Sequence, residues 1–344
     1  MFFNESFLQI CLYLVVCIAV IMYTILDGFD LGVGVLHLFV KSDQDRRVLL
    51  NSIGPIWDGN TVWLIIVGGA LFAGFPIAFG TIFSAFYTLT MIYLAGIIFR
   101  VAAIEFRSKH PSKNWRNFWD IIFCVSSTVI AFGAGILLAN IIRGLPIDQE
   151  MNFHGNFWDF ISFYSVLVGL MSVALFTVHG LTFLLMKTEG ELHARLRRFV
   201  NPIMVIFGIL YALTTLDTLV NIPHMLERFR GNTVLYIIPI IAILSMISIP
   251  YQIHKKRDRL AFVFSSLSIL TPYLLFAIGT YPMILRSTID PQNLSLTIFN
   301  SSAGEQTLKV VLLIVLIGIP LVFGYGYFLY KIFKGKVKLD SSSY

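Results

Sequence analysis

The sequence predicts an all-α integral membrane protein with about nine transmembrane helices. Three observations lead there: 57% of the 344 residues are apolar and only 13% charged, long apolar runs recur along the whole chain, and basic residues collect in alternate connections between those runs. A soluble domain carries about 25% charged residues, so a mean hydropathy of +0.81 puts most of these side chains in an apolar solvent. Backbone in a bilayer must satisfy its own hydrogen bonds, and runs of about 20 residues are too long for barrel strands, which leaves helices. A net charge of +6 would suit nucleic acid in a soluble protein. Here it reflects basic loops, and no nucleic-acid partner is expected.

In chain order the predicted spans are 8–38, 54–75, 77–104, 119–142, 157–187, 199–222, 233–251, 261–285 and 308–332. The first follows Met1-Phe2-Phe3-Asn4-Glu5, which lacks the basic start of a cleaved signal, so it is expected to be a retained helix. One set of alternate connections holds Lys41, Arg46 and Arg47, then Arg107, Lys109, Lys113 and Arg116, then Lys187, Arg195, Arg197 and Arg198, then Lys255, Lys256, Arg257 and Arg259. The tail adds Lys331, Lys334, Lys336 and Lys338, which brings 19 of the 25 basic residues to one side. The positive-inside rule then places the N-terminus outside and the C-terminus in the cytoplasm. The connections are short. The longest outer one, 286–307, has the Pro and Asn content of ordered turns, and sequons at Asn4, Asn293 and Asn300 carry little weight.

Ionisable groups within spans cost several kcal/mol each, roughly 2.5–3.5 on insertion scales, and so mark function. Late in the first span, Asp27, Asp30, Gly34 and His37 fall within roughly an 80° arc of a helix. They form either a buried functional face or a loosened helix end whose acids meet water. Gly28 and Gly32 allow another helix to approach closely. The second span opens Gly54-Pro55-Ile56-Trp57-Asp58-Gly59-Asn60-Thr61-Val62-Trp63. Pro55 suits a first turn and Asp58 a helix N-terminus, either as an interfacial cap or as a protonatable carboxylate facing a channel or partner. Trp57 and Trp63 suit an interfacial aromatic belt. Arg100 and Glu105 end the third span, where Arg100 either snorkels outward or pairs with an acid such as Asp58 or Glu105. His179 reads as a packing histidine, and Asp217 as a polar group satisfied by neighbouring hydroxyls. Cys11, Cys17 and Cys124 show neither metal-ligand nor disulfide spacing, no phosphate loop or nucleophile elbow is present, and no metal site is expected.

The Leu26–Gly34 and Gly54–Leu64 segments closely resemble the two signature segments of subunit II of cytochrome bd quinol oxidases. Tyr281-Pro282, Ser287–Pro291, Ser295–Ser302 and Thr307–Val310 resemble that family's last outer loop and the opening of its last helix, so the resemblance covers essentially the whole chain. It implies two four-helix bundles plus one peripheral helix, with divisions at 1–143, 144–285 and 286–344. Asp27-Gly28 and His179-Gly180 sit similarly in spans one and five, as such a repeat requires.

Further implications concern function. A heterodimer with cytochrome bd subunit I in the bacterial inner membrane oxidises quinol and reduces O2 to water, taking protons from the cytoplasm and contributing to the proton motive force. The b-type haems and the d-type haem are held mainly by subunit I, and no catalytic residue is expected in this chain. Some members also hold a quinone in subunit II. Membrane lipid and a small accessory single-helix subunit complete the implied partners. Asp58 matches the family's interface acid implicated in proton delivery, and the residues assigned to the proton pathway or subunit interface are Asp58, Asp27, Asp30, Arg100, Glu105 and Trp57. Two readings from other classes stay in play: a secondary transporter, marked by repeats and midplane acids, and a purely structural assembly subunit.

Overall fold

The computed structural model describes residues 5–339. The Asn4 sequon therefore lies outside the described residues. The helices are α1 (Glu5–Leu36), α2 (Asp43–Ile53), α3 (Trp57–Gly74), α4 (Pro76–Ala85), α5 (Tyr87–Phe106), α6 (Lys113–Arg143), α7 (Phe163–Lys187), α8 (Gly190–Asn221), α9 (Glu227–Gly231), α10 (Ile237–His254), α11 (Asp258–Thr280) and α12 (Glu305–Ile332). Eight of the described helices are long and apolar enough to cross a membrane, and a ninth span arises if α2 and α3, bent by 48°, count as one. β1 (Met283–Leu285) and β2 (Leu296–Thr297) form a small antiparallel hairpin in the last long connection.

Helix ends depart from the hydropathy boundaries for identifiable reasons. The 77–104 run divides at Phe86, whose buried ring packs on Phe160 with centroids 4.8 Å apart. α5 alone has 20 residues, about 30 Å of helix, which suffices for a span. The short α4 instead packs against β1. α7 starts at Phe163 rather than near 157, because Ser162 and Ser165 exchange side-chain to backbone bonds of 3.1 and 2.8 Å in a capping box. α6 and α8 begin at Lys113 and Gly190, earlier than predicted. Hydropathy reports only the lipid-contacting length, and these helices continue into the polar layer.

α7 is the central helix, packed on α1, α6, α8 and α11; its 25 residues are largely buried by those neighbours. α1 also packs on α3 and α6, α5 on α6, α10 on α11, and α12 lies against α1 and α3. The closest crossing joins α1 and α7 at Gly32 and Gly180. A Cβ on Gly32 would lie 1.8 Å from the Phe176 carbonyl oxygen, and one on Gly180 would lie 2.5 Å from the Gly32 backbone. The expected small-residue approach is thus made by Gly32, while Gly28 faces the Phe176 ring.

The basic connections gather at one end of the molecule. Arg107 and Arg116 both bind Asp43, Arg195 binds Asp45, and Arg197 donates to the Ile253 carbonyl and to Asp258. The segment after α12 folds onto the same end: Lys336 donates to the Leu185 and Thr188 carbonyls at 3.1 and 2.7 Å, capping α7.

Candidate functional site

α1 carries its polar residues inward because three helices crowd it on that side. Asp27 and Asp30, one turn apart, are fully enclosed, as are Arg100 of α5 and Asn60 of α3. Arg100 reaches Asp27 through two parallel bonds, Nη1 to Oδ2 at 2.9 Å and Nη2 to Oδ1 at 2.7 Å. A fork-to-carboxylate pair is the geometry that best offsets removal of both charges from water. Thr61 closes the group, 3.3 Å from Asp27 Oδ1 and 3.0 Å from the Trp57 carbonyl. Further along α1, the Tyr23 and Tyr93 hydroxyls meet at 2.7 Å.

Asp30 belongs to a separate chain of bonds. The Tyr330 hydroxyl of α12 donates to Asn60 Oδ1 at 2.7 Å, and Asn60 Nδ2 donates to Asp30 Oδ2 at 2.8 Å. Asp30 Oδ1 is buried without a partner among the described residues. Such an oxygen is costly unless it carries a proton or meets water. α12 thus completes this site, and its Tyr325 and Leu329 also cover Gly59 beside it.

Asp58 stands in the first turn of α3 and its side chain is exposed; Trp57 before it is partly buried. Of the partners foreseen for Arg100, neither Asp58 nor Glu105 is the one it takes: Arg100 is only 1% exposed and binds Asp27. This corrects both the pairing with Asp58 and the snorkelling alternative. Likewise Asp27 and Asp30 do not face water. Glu105 is partly buried near the end of α5.

One cluster escaped the sequence reading. Asp120 of α6 accepts from His37 Nε2 at 2.5 Å, Arg107 Nε at 2.5 Å and Arg46 Nη1 at 2.8 Å, and is itself buried. It ties the turn after α1 to α2, α5 and α6. The signal available was an acid amid basic residues at the start of the predicted 119–142 span, where it reads as a helix end near water.

His179 does not fit haem ligation, because both of its ring nitrogens are engaged. His179 Nε2 donates to the Ile25 carbonyl at 2.8 Å, its Nδ1 meets Ser265 Oγ at 2.8 Å, and its ring stacks on Phe262. His37 is committed to Asp120 and packed against Phe123. Asp217 accepts from Asn221 at 2.6 Å, a local structural contact. Among the described residues no cluster of three or more His, Cys, Asp or Glu side chains could hold a metal ion.

The fold and site define a polytopic helical membrane subunit with ionisable groups sealed between its helices and an acid open at one helix start. The chain belongs to the cytochrome bd terminal oxidase subunit II family, whose profile matches residues 8–333. It is 30% identical over 356 residues to the cytochrome bd-I ubiquinol oxidase subunit 2 of Escherichia coli K12, covering 94% of both chains. It is 33% identical over 327 residues to the cytochrome bd ubiquinol oxidase subunit 2 of Bacillus subtilis, covering 94% of this chain and 95% of that one. Its fold matches the bd oxidase structure from Geobacillus thermodenitrificans with a TM-score of 0.78 over 95% of this chain and 98% of that chain, at 17% identity. The chain is therefore a multi-pass membrane subunit of a bacterial respiratory terminal oxidase. Such a complex contains haem, and a subunit II implies a subunit I.

Proposed function

We propose that this subunit acts with subunit I in a complex that oxidises quinol and reduces O2 to water, and that it supplies part of the route by which protons enter from the cytoplasm. The basic end of the bundle is assigned to the cytoplasm, with the C-terminus inside and the N-terminus outside, on the positive-inside rule. Quinol releases its protons on the outer side, while O2 takes up protons drawn from inside, so turnover contributes to the proton motive force. The haems supply electron transfer and O2 binding and belong to subunit I. What this chain supplies are ionisable groups and a cover for the partner.

A single observation supports this most: α3 begins with an exposed carboxylate, Asp58, and within its next turn Asn60 and Thr61 hold the two buried carboxylates Asp30 and Asp27. An open acid on the same helix turn as two enclosed ones is the layout a proton route needs at an interface with a partner. Arg100 engages both oxygens of Asp27, so that pair sets the local field, and Asp30, with its unpartnered oxygen, exchanges the proton with Asp58 through water. Trp57 and Glu105 border the same region of the subunit interface. The divisions 1–143, 144–285 and 286–344 remain our proposed domain boundaries. The test is to purify the tagged chain in mild detergent and record its reduced-minus-oxidised visible spectrum. Haem bands with a co-purifying second polypeptide are expected; a single colourless polypeptide from cells that express subunit I would contradict the reading.

A structural reading of part of the site is favoured by one observation, the committed Arg100–Asp27 fork. Under it, substitutions there would lower assembly and leave the turnover of assembled complex unchanged.

A further inference from the structure

At the end of the bundle opposite the basic connections, residues 223–231 fold over the C-terminal ends of α6 and α11. Met225 packs directly on Gly279 of α11, its Cε 2.5 Å from where a Cβ would stand. Beneath the fold lies a cavity of about 310 Å³ whose polar wall is formed by His224, Glu227, Arg228, Tyr281 and Arg286. A second hollow of about 120 Å³ runs on between α1 and α11, walled by apolar side chains such as Val16, Val20, Leu71 and Phe276. The two spaces share Ile141, Thr280, Met283 and Ile284. Together they make one site with a charged mouth and a greasy floor.

The charges of the mouth are only partly committed. Arg228 Nε donates to the Tyr281 carbonyl at 2.9 Å, and its guanidinium lies 4.4 Å over the Tyr281 ring. That fixes the plane of the fork and leaves both Nη groups free for a ligand. The Arg286 guanidinium makes no hydrogen bond or ion pair with any described residue. His224 is neutral, because burial holds its imidazole below the ordinary value, and its Nε2–H is spent on the Ile142 carbonyl at 2.9 Å. Glu227 is the one acid lining the cavity and bridges to neither arginine. The mouth thus carries one uncompensated positive charge, presented by planar forks that match phosphate oxygens.

We propose that this is a binding site for an anionic phospholipid, with its phosphodiester between Arg228 and Arg286 and one acyl chain in the hollow between α1 and α11. The hollow follows α1 from Tyr13 to Ile21, about 12 Å of helix, into the depth where acyl chains lie. The mouth sits where α6 and α11 end, at headgroup level. A free phosphate would leave the apolar hollow unfilled, and a neutral ring head group would leave the arginine charge uncompensated. The bound lipid would wedge α1 against α11, two helices from opposite ends of the chain.

The test is native mass spectrometry of the purified oxidase complex, delipidated and then titrated with phosphatidylglycerol, phosphatidylcholine or inorganic phosphate. Wild type should retain phosphatidylglycerol in preference to phosphatidylcholine, with inorganic phosphate a weak competitor. R228Q/R286Q should lose that retention by about tenfold or more, the loss expected when charge-assisted bonds to the phosphodiester are removed. A277F, which fills the hollow, should also weaken lipid retention. An unchanged haem spectrum in each variant shows that the complex has folded. Equal retention by R228Q/R286Q, equal competition by phosphate alone, or recovery of a quinone in place of the lipid would each overturn the proposal.

Discussion

Arg100 holds both carboxylate oxygens of Asp27, at 2.9 and 2.7 Å, with each residue almost wholly enclosed by helices. The pair joins α1 to α5, which the Tyr23–Tyr93 hydroxyl bond also links, across the face that α3 closes with Thr61. Removing one partner leaves a bare charge in a low dielectric, which costs about 3–5 kcal/mol. Asp27→Asn or Arg100→Leu should therefore reduce the yield of assembled complex and its thermal midpoint. The double replacement Asp27→Leu/Arg100→Leu should recover much of that loss, because two apolar groups of similar size need no compensation. Thermal inactivation of the purified complex checks the cycle.

Tyr330 donates its hydroxyl to Asn60, which in turn donates to Asp30. Tyr330→Phe leaves Asn60 Oδ1 without its donor, at a cost of about 1–3 kcal/mol. The expected effect is a lower thermal midpoint together with a freer α12, read as faster amide exchange in 305–332. Unchanged exchange there would mean that the bond does not hold the helix.

Gly32 and Gly180 place the α1 and α7 backbones in contact, so Gly32→Ala forces a methyl to within 1.8 Å of a carbonyl oxygen. Overpacking at such a site costs about 1–3 kcal/mol or more, and backbone cannot swing aside as a side chain does. The variant should assemble poorly. Gly69→Ala, with nothing within 4 Å of its Cβ in this chain, should be nearly neutral for the fold of the subunit.

Asp148 organises the exposed connection after α6: its Oδ1 accepts from the Glu150 and Asn152 amides, and its Oδ2 meets His154 Nε2 at 2.5 Å. The His154 contact, followed by the Asn152 amide, holds this carboxyl below the ordinary value. A depressed folded-state value means that the contribution is present above the unfolded value and lost as pH falls through the folded one. Amide protection at 150 and 152 should thus persist at neutral pH and fade in acid, below the usual aspartate range of about 3.9. Asp148→Asn should flatten that profile.

Much of this was legible in the sequence and some could not be. The arc shared by Asp27 and Asp30 on α1 offered burial as one of two readings, and the structure selects it; the end at which basic residues gather follows from alternation alone. The break at Phe86 was hidden, because an apolar residue in an apolar run gives no signal, and only its packing on Phe160 shows the bend. Arg100's partner was misassigned, since spacing along one helix does not say which neighbouring helix its long side chain will reach. Tyr330 and Asp120 were passed over for a related reason: each looks like a helix end near water, and each is recruited by an element far away in sequence.

The central claim is that protons reach the oxygen-reducing centre partly through this subunit, by way of Asp58. The most direct test is the oxidase turnover of the Asp58→Asn complex, purified with a haem spectrum matching wild type. Turnover should fall by a factor on the order of 10², the low end of what a positioned proton-transfer group contributes, with assembly intact. Wild-type turnover in that complex would contradict the claim and leave the subunit with a structural role.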